Sequence, residues 1–467
     1  MASEETPLLQ DTTPLLASEE AQDNHASVYE RFTPVQKRAI VSHATFSGLT
    51  TLFVSGSFIP SIPQIALELG STGAIISLAV SLSVFATCFG GLFWASYSAY
   101  YGRKPVYLLS SLVLCAGSIG VAAAQSVPQL MAFRLFQALG SASGLANSMG
   151  VISDIYSLEV RGTATGIFYA GVLIGPAIAP VIGGLISEAW SWRTMQAAIF
   201  FSSVIFFMVT LLLLPETIHP GKSGAEKAQT KGFVFLNPLK SLTLIRSPLI
   251  LLITVAGTMN LISDFFLVTP VAFTVAKKYN ISNQAVIGAL LIPDGLGSMV
   301  GAPITGYLSD RIVARRRKAR GGVWVPEDRL RGLHFSSFFL IPASLLIAGW
   351  ATTYVDGPFG LSINLFCLFI NGFGVDSVFT TISAYGVDIL HDRSAEVTAG
   401  MMAYRGTVVS LALTGLLPSI ETIGLLPTYA ITAGFSWVGA TIVLCVIWYG
   451  DRLRAYVDIG FSTVENN

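Results

Sequence analysis

Twelve apolar runs of about 20 residues or more, separated mostly by short polar stretches, make up nearly all of the chain between residues 40 and 450. An α-helix rises about 1.5 Å per residue, so each run is long enough to cross roughly 30 Å of hydrocarbon. The pattern predicts helices over 41–63, 74–98, 105–125, 129–152, 163–187, 193–214, 248–273, 284–308, 333–353, 360–387, 397–418 and 424–449. Alternation of apolar and polar positions is missing, and the runs are too long for barrel strands. A water-soluble fold would have to bury twelve nearly charge-free helices joined by short loops. The expected fold class is therefore an all-α polytopic membrane protein.

The polar stretch 215–247 splits the spans into six plus six. The expected organisation is a disordered tail over 1–39, a six-helix bundle over 40–214, a linker over 215–247 with a short interfacial helix, a second six-helix bundle over 248–450, and a tail over 451–467. One motif occurs in both halves, each time after the second span. The first copy is Ala95-Ser-Tyr-Ser-Ala-Tyr-Tyr-Gly-Arg-Lys104 and the second is Gly306-Tyr-Leu-Ser-Asp-Arg-Ile-Val-Ala-Arg315. Repetition of this kind inside so apolar a chain points to a transporter made of two related halves. The copies differ at one telling position: Asp310 stands in the second where the first has Ala99.

Charge adds an orientation. With the N-terminus placed inside, the inner loops carry Arg103, Lys104, Arg161, Arg393 and the basic run Arg315-Arg-Arg-Lys-Ala-Arg320, whereas the outer loops hold only Arg193, Lys277 and Lys278. That is the positive-inside pattern, with both termini cytoplasmic. Only 12% of residues are charged, against about 25% in an ordinary soluble domain. The zero net charge argues against a nucleic-acid partner, and the basic run reads as a membrane-surface anchor. Cys88, Cys115, Cys367 and Cys445 all lie in apolar runs and read as small hydrophobes. The first 39 residues lack the apolar core of a secretory signal, so insertion rests on the first span. Two acidic dileucine patterns, Glu4–Leu9 and Asp11–Leu16, set a vacuolar or endosomal address beside the plasma membrane. Asn280-Ile-Ser282 is a glycosylation sequon in a predicted outer loop.

A few polar groups interrupt the spans, and these are the candidates for chemistry. Asp264, Asp294, Asp376 and Arg405 lie in spans 7, 8, 10 and 11, and Arg134 lies in span 4. An unpaired ion in hydrocarbon costs several kcal/mol, so each must face a cavity, a partner or, for a carboxylate, carry a proton. A proton and a substrate competing for the same carboxylates is the simplest mechanism of antiport. An ion pair of one aspartate with Arg405 is the structural alternative. Gln137, Asn147 and Tyr169 in the first half, with Asn260, Phe265, Asn371 and Tyr404 in the second, are the candidate substrate-lining residues. Asp154 with Arg161, and Asp388 with Arg393, read as ion pairs at corresponding turns of the two halves. No nucleophile–base pair, metal cluster or phosphate-binding loop is evident, so neither an enzyme nor a bound cofactor is expected.

At these motifs the chain resembles the major facilitator superfamily, and within it the fungal twelve-span drug:proton antiporters. The resemblance covers about 40–450 and rests on Gly102-Arg103-Lys104, Gly306…Asp310-Arg311, Arg134…Gln137…Gly140, and the span-5 element Gly175-Pro176…Pro180…Gly183-Gly184. It implies the major facilitator fold, twelve helices in two six-helix bundles. It implies a gating role for Arg103, Lys104, Asp310 and Arg311, with the first copy departing from the family pattern at Ala95 and Ala99. It also implies a part in proton coupling for Arg134, and an exporter-type gate at Gly175 and Pro176. The expected partners are protons, a small organic substrate and the bilayer, with the chain acting as a monomer. Two substrate readings stay open: export of amphipathic organic molecules, or carriage of one metabolite such as an organic acid or polyamine. Arg405 discriminates between them, because an arginine free of Asp376 favours an anion.

Overall fold

Helix ends fall where the chain offers caps and prolines. Span 1 starts at Pro34 behind Thr33, which forms a capping box with Gln36. It runs over Pro34–Gly56 and bends through a 3-10 turn, Ile59–Ser61, into Ile62–Glu68, because Pro60 and Pro63 each withhold a backbone donor. The computed structural model describes residues 31–156, 158–218, 234–323, 325–389 and 394–456. Arg393, the side chain of Arg161 and both dileucine patterns lie outside the described residues.

Spans 2 and 3 are Gly73–Tyr101 and Arg103–Ala123; span 6 is Trp192–Leu213 and span 7 Pro248–Val268. Spans 10, 11 and 12 are Gly357–Ile389, Ser394–Ile423 and Leu425–Tyr456. Three further spans are broken near Pro or small residues: span 5 into Leu158–Val172 and Ile174–Ala189, span 8 into Gln284–Ala289 and Ile292–Ala319, and span 9 into a π turn, Ser336–Leu340, and Ile341–Tyr354. Span 4 is also two pieces, Val127–Ser141 and Ser143–Ile155. Among the described residues eleven helices are long and apolar enough to cross a membrane; span 4, which carries Arg134, Gln137, Asn147 and Asp154, is the predicted twelfth that falls short. No strand occurs among the described residues.

The described ends of spans 2, 4 and 6 meet through Arg103, Asp154 and Glu216, and those of spans 8 and 10 through Arg329, on the side called the basic face below. Helices of the first six spans meet those of the last six along two seams. Span 2 runs against span 11, where Ser81 Oγ donates to the Ser410 carbonyl and Cys88 fills the space left by Gly406. Span 5 meets span 8 near the opposite face. Here the chains approach backbone to backbone: a side chain on Gly288 would strike the Pro180 carbonyl, one on Gly184 the Gln284 carbonyl, and one on Gly295 the backbone of Ala177. The Gln284 amide also donates to Glu188 Oε2 at 2.8 Å.

An apolar cluster drawn from both halves closes the same end, with Phe58, Ile62, Ile76 and Val80 against Ile262, Phe266, Val409 and Leu413. Towards the basic face the 5–8 seam parts. Gly166 on span 5 and Gly306 on span 8 each look into open space. Spans 5 and 8 thus meet opposite the basic face and separate towards it.

Candidate functional site

Span 8 lies directly on span 10, because Gly297 and Gly301 let the backbone of Phe369 and Phe373 approach. Gly372 in turn makes room for Asp294. This close crossing brings the aspartates together. The side chains of Asp264, Asp294 and Asp376 lie near one another, with Ser298 beside Asp376. Asp294 is buried, and its Oδ1 has no hydrogen-bond partner. Three helices far apart in sequence therefore assemble one cluster of carboxyl groups. Like charges so placed in a dry interior cannot all be ionised together. The next residue, Gly295, is a contact of the 5–8 seam.

Neither buried arginine pairs with this cluster. Arg405 stacks on Phe379 at 4.9 Å, and its Nε and Nη2 have no partner. The alternative of an Asp–Arg405 ion pair is corrected accordingly: among the described residues no carboxylate lies within ion-pair distance of Arg405. Arg134 is wholly buried rather than reaching the surface. It lies over Phe58 at 4.2 Å and donates from Nη1 to the Val54 carbonyl (3.3 Å) and to Gln137 Oε1 (2.7 Å).

The predicted substrate-lining residues do not form one site. Gln137 spends its amide on Ser118 (3.0 Å) and Gln196 (2.9 Å). Asn147 accepts from Ser98 Oγ and donates to the Arg103 carbonyl at 2.9 Å, which clamps the turn between spans 2 and 3. Asn260 accepts from Ser337 and ties span 7 to span 9. Asn371 donates to Ser344 at 2.8 Å and keeps one orphan oxygen. Phe265 packs on the apolar seal, while Tyr169 and Tyr404 are half-buried.

On the basic face the two halves build matching ion-pair sets. Arg103 pairs with Asp154 (Nε–Oδ2 2.8 Å) and donates to Ser98 Oγ at 2.9 Å. Arg329 pairs with Asp388 (2.7 Å) and with Asp310 (2.8 Å). The arginine that answers Asp310 is thus Arg329 and not the adjacent Arg311, which is exposed and lies over its own Tyr307 at 5.2 Å. Asp388, expected with Arg393, is held by Arg329 as well. The first set lacks a third member, because position 99 is alanine and exposed. Lys104 donates from Nζ to the Leu211 carbonyl at 3.0 Å.

Two acidic residues escaped the sequence reading. Glu216, just beyond span 6, accepts from the backbone N–H groups of Arg103 (2.9 Å) and Lys104 (3.1 Å), and so caps span 3 as a carboxylate at a helix N-terminus should. Asp328, 2% exposed, holds Arg320 in a bidentate pair at 2.6 and 2.7 Å and also engages Arg331 and Arg316. The signal for Glu216 was its place after Pro215 at the end of span 6, and for Asp328 its place beside Arg329 and Arg331. Gly175 packs on span 1 at Leu52, and Pro176 is half-buried at the break of span 5.

This arrangement, two seams with a carboxyl cluster behind one of them, accords with similarities to known proteins. Efflux pump radE of Floropilus chiversii is 25% identical over 450 residues, covering 91% of this chain and 82% of its own. MFS antiporter QDR3 of Candida albicans is 33% identical over 183 residues, covering 39% of this chain and 26% of its own. A solved bacterial homologue of the human lysosomal transporter Spinster, in an inward-facing and unoccupied conformation, superposes with a TM-score of 0.69 at 13% identity, covering 90% of this chain and 99% of that one. The model of the Major Facilitator Superfamily matches residues 44–415. The chain belongs to the Major Facilitator Superfamily, and it is a membrane transporter and not an enzyme.

Proposed function

We propose that the protein is a proton-coupled antiporter that exports small organic molecules, with the basic face and both termini in the cytoplasm of a plasma, vacuolar or endosomal membrane. The observation that carries this reading is the placement of Asp294 one residue from Gly295, at the seam that the Gly-Pro element of span 5 makes with span 8. A proton bound at the carboxyl cluster is then felt where the far face opens. In the sealed state substrate enters from the basic face. Deprotonation restores mutual repulsion among Asp264, Asp294 and Asp376, while substrate release and proton uptake belong to the opposite state. The names of the relatives, an efflux pump and an antiporter, support the same direction.

The test is flux. Purified protein in proteoliposomes, with an internal pH dye, should show proton movement on addition of a transported organic solute, with tetraphenylphosphonium and benzoate tried as cationic and anionic candidates, opposite in direction to that solute. Solute movement at a fixed rate with and without a pH gradient would refute coupling.

The missing aspartate of the first gate gives a second expectation. Ala99→Asp puts a carboxylate beside Arg103, as Asp310 lies beside Arg329. It also offers an anion to a helix N-terminus across the gap when the basic face closes. Such charge–helix contacts contribute about 0.3–1 kcal/mol, a shift of roughly two- to five-fold towards the state closed on that face. With the exposed native Cys445 replaced by serine, a Gly166→Cys probe should react more slowly with a thiol reagent in the Ala99→Asp background. An unchanged rate would remove the latch role.

A further inference from the structure

Arg405 is a buried cation without an anion. It is 2% exposed, and no carboxylate among the described residues pairs with it. The two atoms left without partners, Nε and Nη2, form one edge of the guanidinium. That edge presents two parallel N–H donors at the spacing of a carboxylate's two oxygens. Leaving a charge and its donors unmet inside a membrane protein is strongly unfavourable, so such a group marks a functional site by default.

The surroundings hold this edge ready. Phe379 lies under the guanidinium plane and fixes its tilt. Span 7 brings Gly257 over the guanidinium: a Cβ there would come to 3.1 Å from Nη2, 3.2 Å from Nε and 3.3 Å from Cζ. Any side chain at 257 would press on the guanidinium, which glycine lets pack against span 7.

Position along the membrane matters equally. Phe379 is three residues from Asp376 on span 10, about one helical turn nearer the basic face. Gly257 is seven residues from Asp264 on span 7, about two turns nearer the same face. Counted from the basic face, Arg405 comes first, then the carboxyl cluster, then the 5–8 seam.

We infer that Arg405 is the carboxylate-binding element of the transport site, and that the substrates are organic acids with an apolar body. The carboxylate takes both N–H groups of the Nε/Nη2 edge, and the apolar part lies against Phe379. This removes Arg405 from the proton relay and resolves the choice between cations and anions towards anions. The inference refines the export reading and rests on it for the direction of transport.

The test uses the full chain in lipid nanodiscs. Binding of labelled benzoate, indole-3-acetate and octanoate, and of tetraphenylphosphonium, is read by scintillation proximity. At least one carboxylate should bind saturably. Arg405→Gln should weaken it ten-fold or more. Arg405→Lys, which keeps the charge but not the two-pronged edge, should weaken it less. Gly257→Ala should also weaken it with the charge intact, and it carries the test if Arg405→Gln does not elute as a monodisperse protein. Binding of none of the three carboxylates, or equal binding by the wild type and every folded variant, overturns the inference. Proton flux separates the two readings. If the protein exchanges tetraphenylphosphonium for protons but binds no carboxylate, export stands and the carboxylate site falls. If carboxylate binding depends on Arg405 but no proton flux occurs, the site stands and proton-coupled export falls.

Discussion

Gly295→Val is expected to abolish transport, lowering the flux about 100-fold. The reason is geometric. A Cβ at 295 would fall on the backbone of Ala177, and backbone cannot rotate away as a flexible side chain can. Overpacking of a close contact costs typically about 1–3 kcal/mol, and valine adds two methyl groups beyond the first carbon. The sealed state then loses roughly one to two powers of ten in population. A carrier that cannot close one face either leaks or stalls with that face open. Two measurements check this. Solute-driven proton flux should vanish, and a Ser187→Cys probe, placed at a position buried beside the seam, should become reactive to an impermeant thiol reagent. Gly415→Ala is the comparison, because nothing lies within 4 Å of a Cβ built there. If Gly295→Val transports as well as Gly415→Ala, the 5–8 seam is not a gate.

The spans could be read from the sequence because hydrocarbon imposes one rule on every segment: length and the near-absence of charge. The cluster of Asp264, Asp294 and Asp376 was legible for the same reason in reverse, since a charge kept in a span needs a local explanation. Span 5 was legible because glycine and proline together have few uses other than close approach and bending. Elsewhere the sequence misled in instructive ways. The gate arginine of the second half is Arg329, separated from Asp310 by the long loop after span 8, so adjacency pointed to Arg311 instead. Asparagine and glutamine in a membrane helix look alike whether they line a cavity or tie helices together. Gln137, Asn147 and Asn260 prove to do the tying. Their hydrogen bonds depend on partners in other spans, and no pattern along a single helix reveals them. Span 4 fell short as an apolar span because it holds so many of these groups. It is stabilised by the pairs Arg134–Gln137 and Arg103–Asp154 within the first six spans.

Asp294→Asn is expected to separate solute movement from proton movement. Asp294, like Asp264, lies near both other carboxyl groups, and of the three it is the one that adjoins the seam residue Gly295. Asparagine keeps the size and one carbonyl oxygen but cannot gain or lose a proton. Accumulation of solute driven by a pH gradient should fall about 100-fold, while exchange of labelled for unlabelled solute without a gradient should stay within about three-fold of wild type. That split is what loss of a proton site produces, and a packing defect would lower both rates together. Asp376→Asn leaves Asp264 and Asp294 still near one another, so its effect should be smaller, about ten-fold on the driven rate. Driven accumulation by Asp294→Asn at the wild-type rate would place the proton elsewhere. Equal losses for Asp294→Asn and Asp376→Asn would mean that the cluster acts as one unit, with no carboxyl privileged by its contact with the seam. The predicted inequality therefore tests the link between charge and gate, because Asp294, unlike Asp376, has a peptide bond to a residue of the 5–8 seam.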